Sequence, residues 1–293
     1  TLKGEFSFLT GVVVPQTCDN MREAFDIWRE HTRFSFYHRL AVPARTDSYL
    51  GEQFYMHELE NFASALKIPQ GREVTPARLK EAIALHNRVR VLLDHASAAR
   101  VAGRLTGTEF LVIFLAGLVT PLVRYIPVLE SFLETIPAER PELNNRMRLL
   151  VTGSVVDSVE YLAAIEEAQF MVVADDLCYG SRHYAGLVSP EGDLLTALAR
   201  RYLQKVSCPC KHPVGRRWEH LITTIRSCQV EGVVFILQKF CDSHWFDQPD
   251  LQKELQKTGI PVLVLEMENQ AGLERLRTRV SVFREMIKHK GNT

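Results

Sequence analysis

Apolar positions along this chain follow two rhythms, and the rhythm changes twice. Short unbroken apolar runs occur at Gly11-Val-Val-Val-Pro15, Arg148-Leu-Leu-Val-Thr152, Phe170-Met-Val-Val-Ala174, Gly232-Val-Val-Phe-Ile-Leu237 and Pro261-Val-Leu-Val-Leu-Glu266. They are rich in β-branched and aromatic residues and too short for a helix. Each therefore predicts a strand buried on both faces, as in a parallel sheet. Arg33 to Val42 predicts a further strand ending near Pro43. Helical spacing fills the gaps. Met21, Phe25 and Trp28 share one face, as do Phe54, Leu59, Phe62 and Leu66. Thr75-Pro76 is an N-cap followed by proline at the first helical position, opening a helix from Ala77 to about Arg100. Helices are also expected from Gly107, over Tyr125 to Ile136, Val159 to Ala168, Leu194 to Leu203, Arg216 to Cys228, Pro249 to Lys257, and finally through Ile287.

Strands alternating with helices mean βαβ units and a parallel sheet wound right-handed, an α/β fold. The helical stretch divides the chain into three expected segments. Residues 1–47 read as the C-terminal part of an N-terminal α/β lobe, 48–145 as a helical segment, and 146–293 as a C-terminal α/β lobe. Pro137 to Asn145, with two prolines and two asparagines, is the expected linker. A strand so soon after Thr1-Leu-Lys-Gly4 reads as a chain that starts inside a domain, so the N-terminal lobe is expected to be incomplete.

Composition narrows the function only by exclusion. Charge balances at 35 Lys+Arg against 35 Asp+Glu, so no basic field argues for nucleic acid. The longest apolar stretch, Phe110 to Val123, is interrupted by Gly117 and Pro121 and falls short of a membrane span. Six cysteines in 293 residues are too few for a disulfide scaffold and read as thiols or metal ligands. No phosphate-binding loop of the nucleotidase kind occurs, so the chain is not expected to hydrolyse ATP.

The candidate chemistry sits where strands end. Cys18 follows the first strand, Cys178 follows Phe170–Ala174, and Cys241-Asp242-Ser243-His244 follows the Gly232 strand. Ligands of open α/β sheets bind beyond the carboxyl ends of the strands, so thiols distant in sequence can converge there. Cys18 also precedes a helix, whose positive end favours a thiolate. Any single cysteine reads better as a small buried residue, but Cys18 and Cys241, each followed directly by Asp in a strand-to-helix turn, together favour a ligand role. Asp175-Asp176 with Gly180-Ser181-Arg182 pairs carboxylates, a turn and a basic group, suited to a polar substrate head or to a loop salt bridge. Cys208-Pro-Cys210 lacks a second half at zinc-finger spacing and reads as free loop thiols. Cys228, at the end of a helix, reads as packing.

Pro15-Gln-Thr-Cys-Asp19, Asp175-Asp-Leu-Cys-Tyr-Gly-Ser-Arg182, Cys208-Pro-Cys210, Gly232-Val-Val-Phe with Lys239-Phe-Cys-Asp242, and Leu276-Arg-Thr-Arg279 together resemble the 2-hydroxyacyl-CoA dehydratase / benzoyl-CoA reductase subunit family, in order and over about Gly11 to Ile287. The resemblance implies two Rossmann-like lobes with helical material between them and a [4Fe-4S] cluster held by three cysteines. It implies pairing with a homologous subunit, an ATP-dependent iron–sulfur activator as electron donor, an acyl-CoA substrate, and a cytoplasmic enzyme without nucleic-acid or membrane partners. Matched residue by residue, Cys18 and Cys241 are the expected cluster ligands. The third is expected upstream of Thr1, with Cys178 as the alternative. Asp175, Asp176, Ser181 and Arg182 are the expected substrate-binding residues. Two readings compete with that of a substrate-processing subunit. One is an electron-relay or scaffold subunit whose homologous partner binds the acyl-CoA, and the other is a cluster-free α/β ligand-binding protein.

Overall fold

The computed structural model describes residues 4–71, 73–267 and 272–290. In chain order the elements are β1 (Gly11–Gln16), α1 (Asp19–His31), β2 (Phe36–Ala41), α2 (Tyr49–Ala65), α3 (Lys67–Gln70), α4 (Pro76–Val101), α5 (Gly107–Val119) and α6 (Leu122–Thr135). There follow β3 (Met147–Gly153), α7 (Val159–Glu167), β4 (Phe170–Asp176), α8 (Ser181–Tyr184), α9 (Leu194–Gln204) and α10 (Gly215–Ser227). The last are β5 (Gly232–Gln238), α11 (Asp242–Lys257), β6 (Val262–Met267) and α12 (Gly272–Lys290). All strand pairing is parallel, so the fold is α/β as expected. No helix among the described residues is long and apolar enough to cross a membrane.

The chain forms two compact units. One is drawn from the stretch up to Ala84 and from Gly186–Val214, the other from Leu85–Ala185 and from Gly215 onward. The first unit holds the two-stranded sheet β1-β2. Val12 and Val14 of β1 bury against Phe25 of α1, whose helical spacing brings Trp28 alongside. A second cluster in this unit packs Tyr55 of α2 against Ala199 and Leu203 of α9.

The second unit holds a four-stranded sheet in the order β4-β3-β5-β6. Its strands lack a polar face because both faces are covered. Leu149, Val151, Val172, Val234 and Ile236 point into a core with α4, α5, α6, α7 and α12. Their alternate neighbours Leu150, Val173, Val233, Phe235 and Leu237 point into a core with α10 and α11. Each such side chain contributes about 1.5–3 kcal/mol of burial. The chain leaves β3 for α7 on one face and leaves β5 for α11 on the other, yet β3 and β5 are neighbours. Their carboxyl ends therefore form a topological switch point, the place where open α/β sheets receive ligands.

The strands appear where the apolar runs place them, and one helix begins much earlier than its sequence suggests. Pro249 reads as a first helical residue, but α11 starts at Asp242 and carries Pro249 inside it. The buried face of this helix is His244, Gln248, Leu251 and Leu255. Its first two positions are polar, which hides the period.

Candidate functional site at the strand ends

Glycine fixes the switch point of the second unit. Gly153 ends β3 at φ +138°, and a Cβ there would stand 2.1 Å from the Ile236 carbonyl oxygen. Only glycine lets the two strand ends approach this closely. The Ser154 amide donates to that carbonyl (3.0 Å), and Ser154 Oγ accepts from the Gln238 amide (3.2 Å). Phe240 then turns the chain through φ +68° with its ring 71% exposed. A left-handed backbone at a non-glycine residue stores strain of order 1 kcal/mol, a pattern concentrated at functional turns. Cys241 follows as the N-cap residue of α11, half-buried, and its carbonyl accepts from the His244 amide (3.0 Å).

The end of β4 is a buried charge network. Asp175 is 4% exposed and pairs with Arg100 at 2.9 Å. Its Oδ1 also accepts from the Ser181 amide (2.7 Å), and Ser181 Oγ donates to its carbonyl (2.5 Å). Gly180 makes that turn possible, because at φ +155° a Cβ would fall 2.1 Å from Asp175 Oδ1. Asp176, 1% exposed, accepts from Thr152 Oγ1 (2.8 Å) and faces Arg182 (3.2 Å), Arg217 (3.3 Å) and His220 (3.9 Å). Burial disfavours its charge, but Arg182, Arg217, His220 and the Thr152 hydrogen bond together outweigh it and hold the carboxyl below its usual range. Arg217 reaches on to Asp247 at 2.8 Å.

Arg182 ties the strand ends together. Its guanidinium donates to the Gly153 carbonyl (2.5 Å), lies 3.6 Å from Cys178 Sγ and sits 3.4 Å from His244 Nε2. It thereby links the ends of β3 and β4 to the first turn of α11. Cys178 and Cys241, 63 positions apart, occupy one edge of one sheet. Of the residues expected to bind substrate, Asp175, Asp176 and Arg182 are buried with their charges compensated, and Ser181 is half-buried on the same turn.

Arg100 and Arg217 did not stand out in the sequence, although each carried a signal. Arg217 shares a helical stripe with Leu221 and Ile225, and Arg100 continues the stripe of Leu93 and Ala96. An arginine inside an apolar stripe needs a buried carboxylate to face.

In the first unit Cys18 is the N-cap residue of α1, with extended backbone (φ −148°, ψ 173°) and no side-chain cap hydrogen bond. Cys210 donates its S–H to the carbonyl of Thr17 at 2.7 Å, so it is anchored rather than a loose loop thiol. Cys228 packs against the core beside α10, as expected. The donor set suits an iron–sulfur cluster only in part. Cys18 and Cys241 are both free thiols at strand-to-helix turns. Among the described residues, however, no three His, Cys, Asp or Glu side chains gather as ligands of one metal ion.

Comparison with known proteins supplies the frame for these turns. Residues 1–287 match the family described as 2-hydroxyglutaryl-CoA dehydratase, D-component. The (R)-phenyllactyl-CoA dehydratase beta subunit of Clostridium sporogenes is 23% identical, over 98% of this chain and 77% of its own length. A benzoyl-CoA reductase subunit of Thauera aromatica is 22% identical, over 98% and 76%. The (R)-2-hydroxyglutaryl-CoA dehydratase beta subunit of Acidaminococcus fermentans is 24% identical, over 98% and 78%. With the family matched across nearly its whole length, this chain belongs to the 2-hydroxyglutaryl-CoA dehydratase D-component family.

Proposed function

We propose that the protein is the iron–sulfur subunit of an enzyme that processes acyl-CoA thioesters by low-potential one-electron reduction, of 2-hydroxyacyl-CoA dehydratase or benzoyl-CoA reductase type. The supporting observation is the family match over residues 1–287, among relatives named for both activities. In this reading Cys18 and Cys241 are cluster ligands. The third lies upstream of Thr1, with Cys178 as the alternative. A [4Fe-4S] cluster would supply one-electron transfer and, with three thiolates, an iron open to a thioester carbonyl.

The work of the chain's own residues is positional. Asp175, Asp176, Ser181 and Arg182 form the polar end of the acyl-CoA site, with Arg182 fixing Cys178 and His244 at the edge of the sheet. The implied partners are a homologous subunit and an ATP-dependent iron–sulfur activator, in the cytoplasm. One observation favours the relay reading, in which that homologous subunit receives the acyl-CoA. Three of the four residues assigned to substrate are buried with their charges internally compensated.

Anaerobic iron and sulfide analysis tests the cluster. Cys18→Ser and Cys241→Ser are expected to lower iron per subunit and abolish turnover with the partner subunit, activator and ATP. Full iron and activity in both variants would overturn the ligand assignment. A protein that takes up no iron under reconstitution would support the cluster-free reading. The ATP-to-product ratio then separates a dehydratase, which recycles its electron, from a reductase, which consumes ATP with every electron pair.

A further inference from the structure

The Cys208-Pro-Cys210 turn in the first unit plays no part in the function proposed above. The Lys211 amide donates to the Cys208 carbonyl at 3.0 Å, closing a turn with Pro209 in its second position. Proline's fixed φ suits that place. The turn is fastened to the segment after β2 at several points. Lys211 Nζ donates to the Val42 carbonyl (2.9 Å), the His212 amide to the Ala44 carbonyl (2.8 Å), and the Thr46 amide to the His212 carbonyl (2.9 Å). Two thiols, one residue apart, are thus held on a braced turn, close enough to influence each other's titration. Both remain half-buried rather than sealed. Lys211, 7% exposed, stands within electrostatic reach of Cys208, Cys210 and Cys18, whose sulfurs favour its ammonium while burial pushes its pKa down.

We propose that Cys208 and Cys210 are a redox-active dithiol that closes to an intramolecular disulfide, with a low-molecular-weight disulfide as the oxidant. Disulfides accept Cα separations of about 4.4–6.8 Å, a span that residues two apart on a turn satisfy. The Cys208 thiolate attacks one sulfur of R–S–S–R, forming a mixed disulfide and releasing the first RS⁻. Cys210 then gives up its proton, attacks the Cys208 sulfur and expels the second RS⁻. The dithiol loses two electrons and the reagent gains them, while the two protons end on the two RSH products. Lys211 stabilises the thiolates along the way. The adjacent Cys208 thiol and burial push the Cys210 thiol above its ordinary range, in keeping with Cys208 attacking first.

Closure has a local consequence. It removes the S–H that Cys210 donates to Thr17, the residue just before Cys18, and so loosens the turn that carries Cys18. The significance of that loosening rests on the cluster reading. The closure itself does not.

The test uses the full, metal-free chain, equilibrated near neutral pH with graded ratios of reduced to oxidised glutathione, then alkylated and peptide-mapped. The peptide spanning Cys208 and Cys210 is expected to lose two hydrogens before the other cysteines oxidise. Cys210→Ser should stop at a glutathione adduct on Cys208, and Cys18→Ser should close as the wild type does. Separate alkylation of both cysteines at every ratio, or a persistent adduct on the wild type, would overturn the proposal. So would loss of closure in Cys18→Ser. Hydrogen exchange over residues 16–20 is expected to speed up in the disulfide form, and unchanged exchange would refute the coupling to Cys18. None of these readouts involves iron, so their failure is distinct from failure of the cluster assignment.

Discussion

The two units each carry a thiol to the end of a parallel strand, but they hold it by different means. In the second unit the strand ends rest on buried charge: Asp175 with Arg100, and Asp176 with Arg182 and Arg217. In the first unit the Cys18 turn is braced by hydrogen bonds to backbone carbonyls, from Cys210 to Thr17 and between the 208–212 loop and the 42–46 segment, one of them donated by the Lys211 ammonium. Buried ion pairs in a covered sheet are rigid and intolerant, because removing one partner strands the other in a dry interior. Hydrogen bonds to backbone carbonyls are weaker one by one than buried ion pairs and easier to exchange. One edge is built to stay fixed, the other to be adjusted.

The largest test of that contrast is Asp176→Asn. It leaves Arg182 and Arg217 facing a neutral group and is expected to cost about 3–5 kcal/mol. A denaturant titration of the full chain measures the loss, and hydrogen exchange should place it in β3, β4 and β5. A loss below about 1 kcal/mol would remove the claim that charge holds this edge. The same group sets an acid limit. Its folded pKa lies below the unfolded value, so its contribution is complete above an unfolded pKa of about 3.9 and disappears as pH falls through the folded value. The wild type should therefore lose stability on acidification below about pH 4, and Asp176→Asn should lose less.

Next comes Gly153→Ala, whose Cβ would meet the Ile236 carbonyl oxygen. Backbone strain at this position is worth about 1–3 kcal/mol, with the clash added to it. Faster exchange of the Ser154 and Gln238 amides should accompany the fall in midpoint. The smallest effect belongs to the first unit. Cys210→Ala removes one S–H···O bond and should cost about 0.5–1.5 kcal/mol, with Cys210→Ser recovering part of it. An Ala variant as damaging as Asp176→Asn would erase the distinction between the two edges.

The strands were legible because a strand covered on both faces writes its burial as an unbroken apolar run. Val233 to Leu237 could be read directly for that reason. The charge network was half legible. Asp175, Asp176 and Arg182 stood out as a cluster, but Arg100 lies 75 positions before Asp175 and Arg217 lies 41 after Asp176. Partners that distant are joined by the fold and not by local spacing. The start of α11 was obscured because proline at a first helical turn is a stronger local signal than a stripe opening with His244 and Gln248. Cys208-Pro-Cys210 was set aside because the spacing held no second half. The structure supplies a backbone carbonyl, that of Thr17, which no spacing rule anticipates.

The division into units has a consequence for biosynthesis. The first unit needs α9, which packs Ala199 and Leu203 against Tyr55, more than a hundred residues after α2. A ribosome adding about 5–20 residues per second must run for several more seconds before that partner helix emerges. During this interval Tyr55 has only Leu40, Val42, Met56 and Leu59 of its native cluster around it. The second unit waits longer still, because β5 and β6 come last and β3 has only β4 to pair with until then. Both units are thus completed well after their first elements emerge, and the interval before completion is when the nascent chain most needs shielding from its own kind.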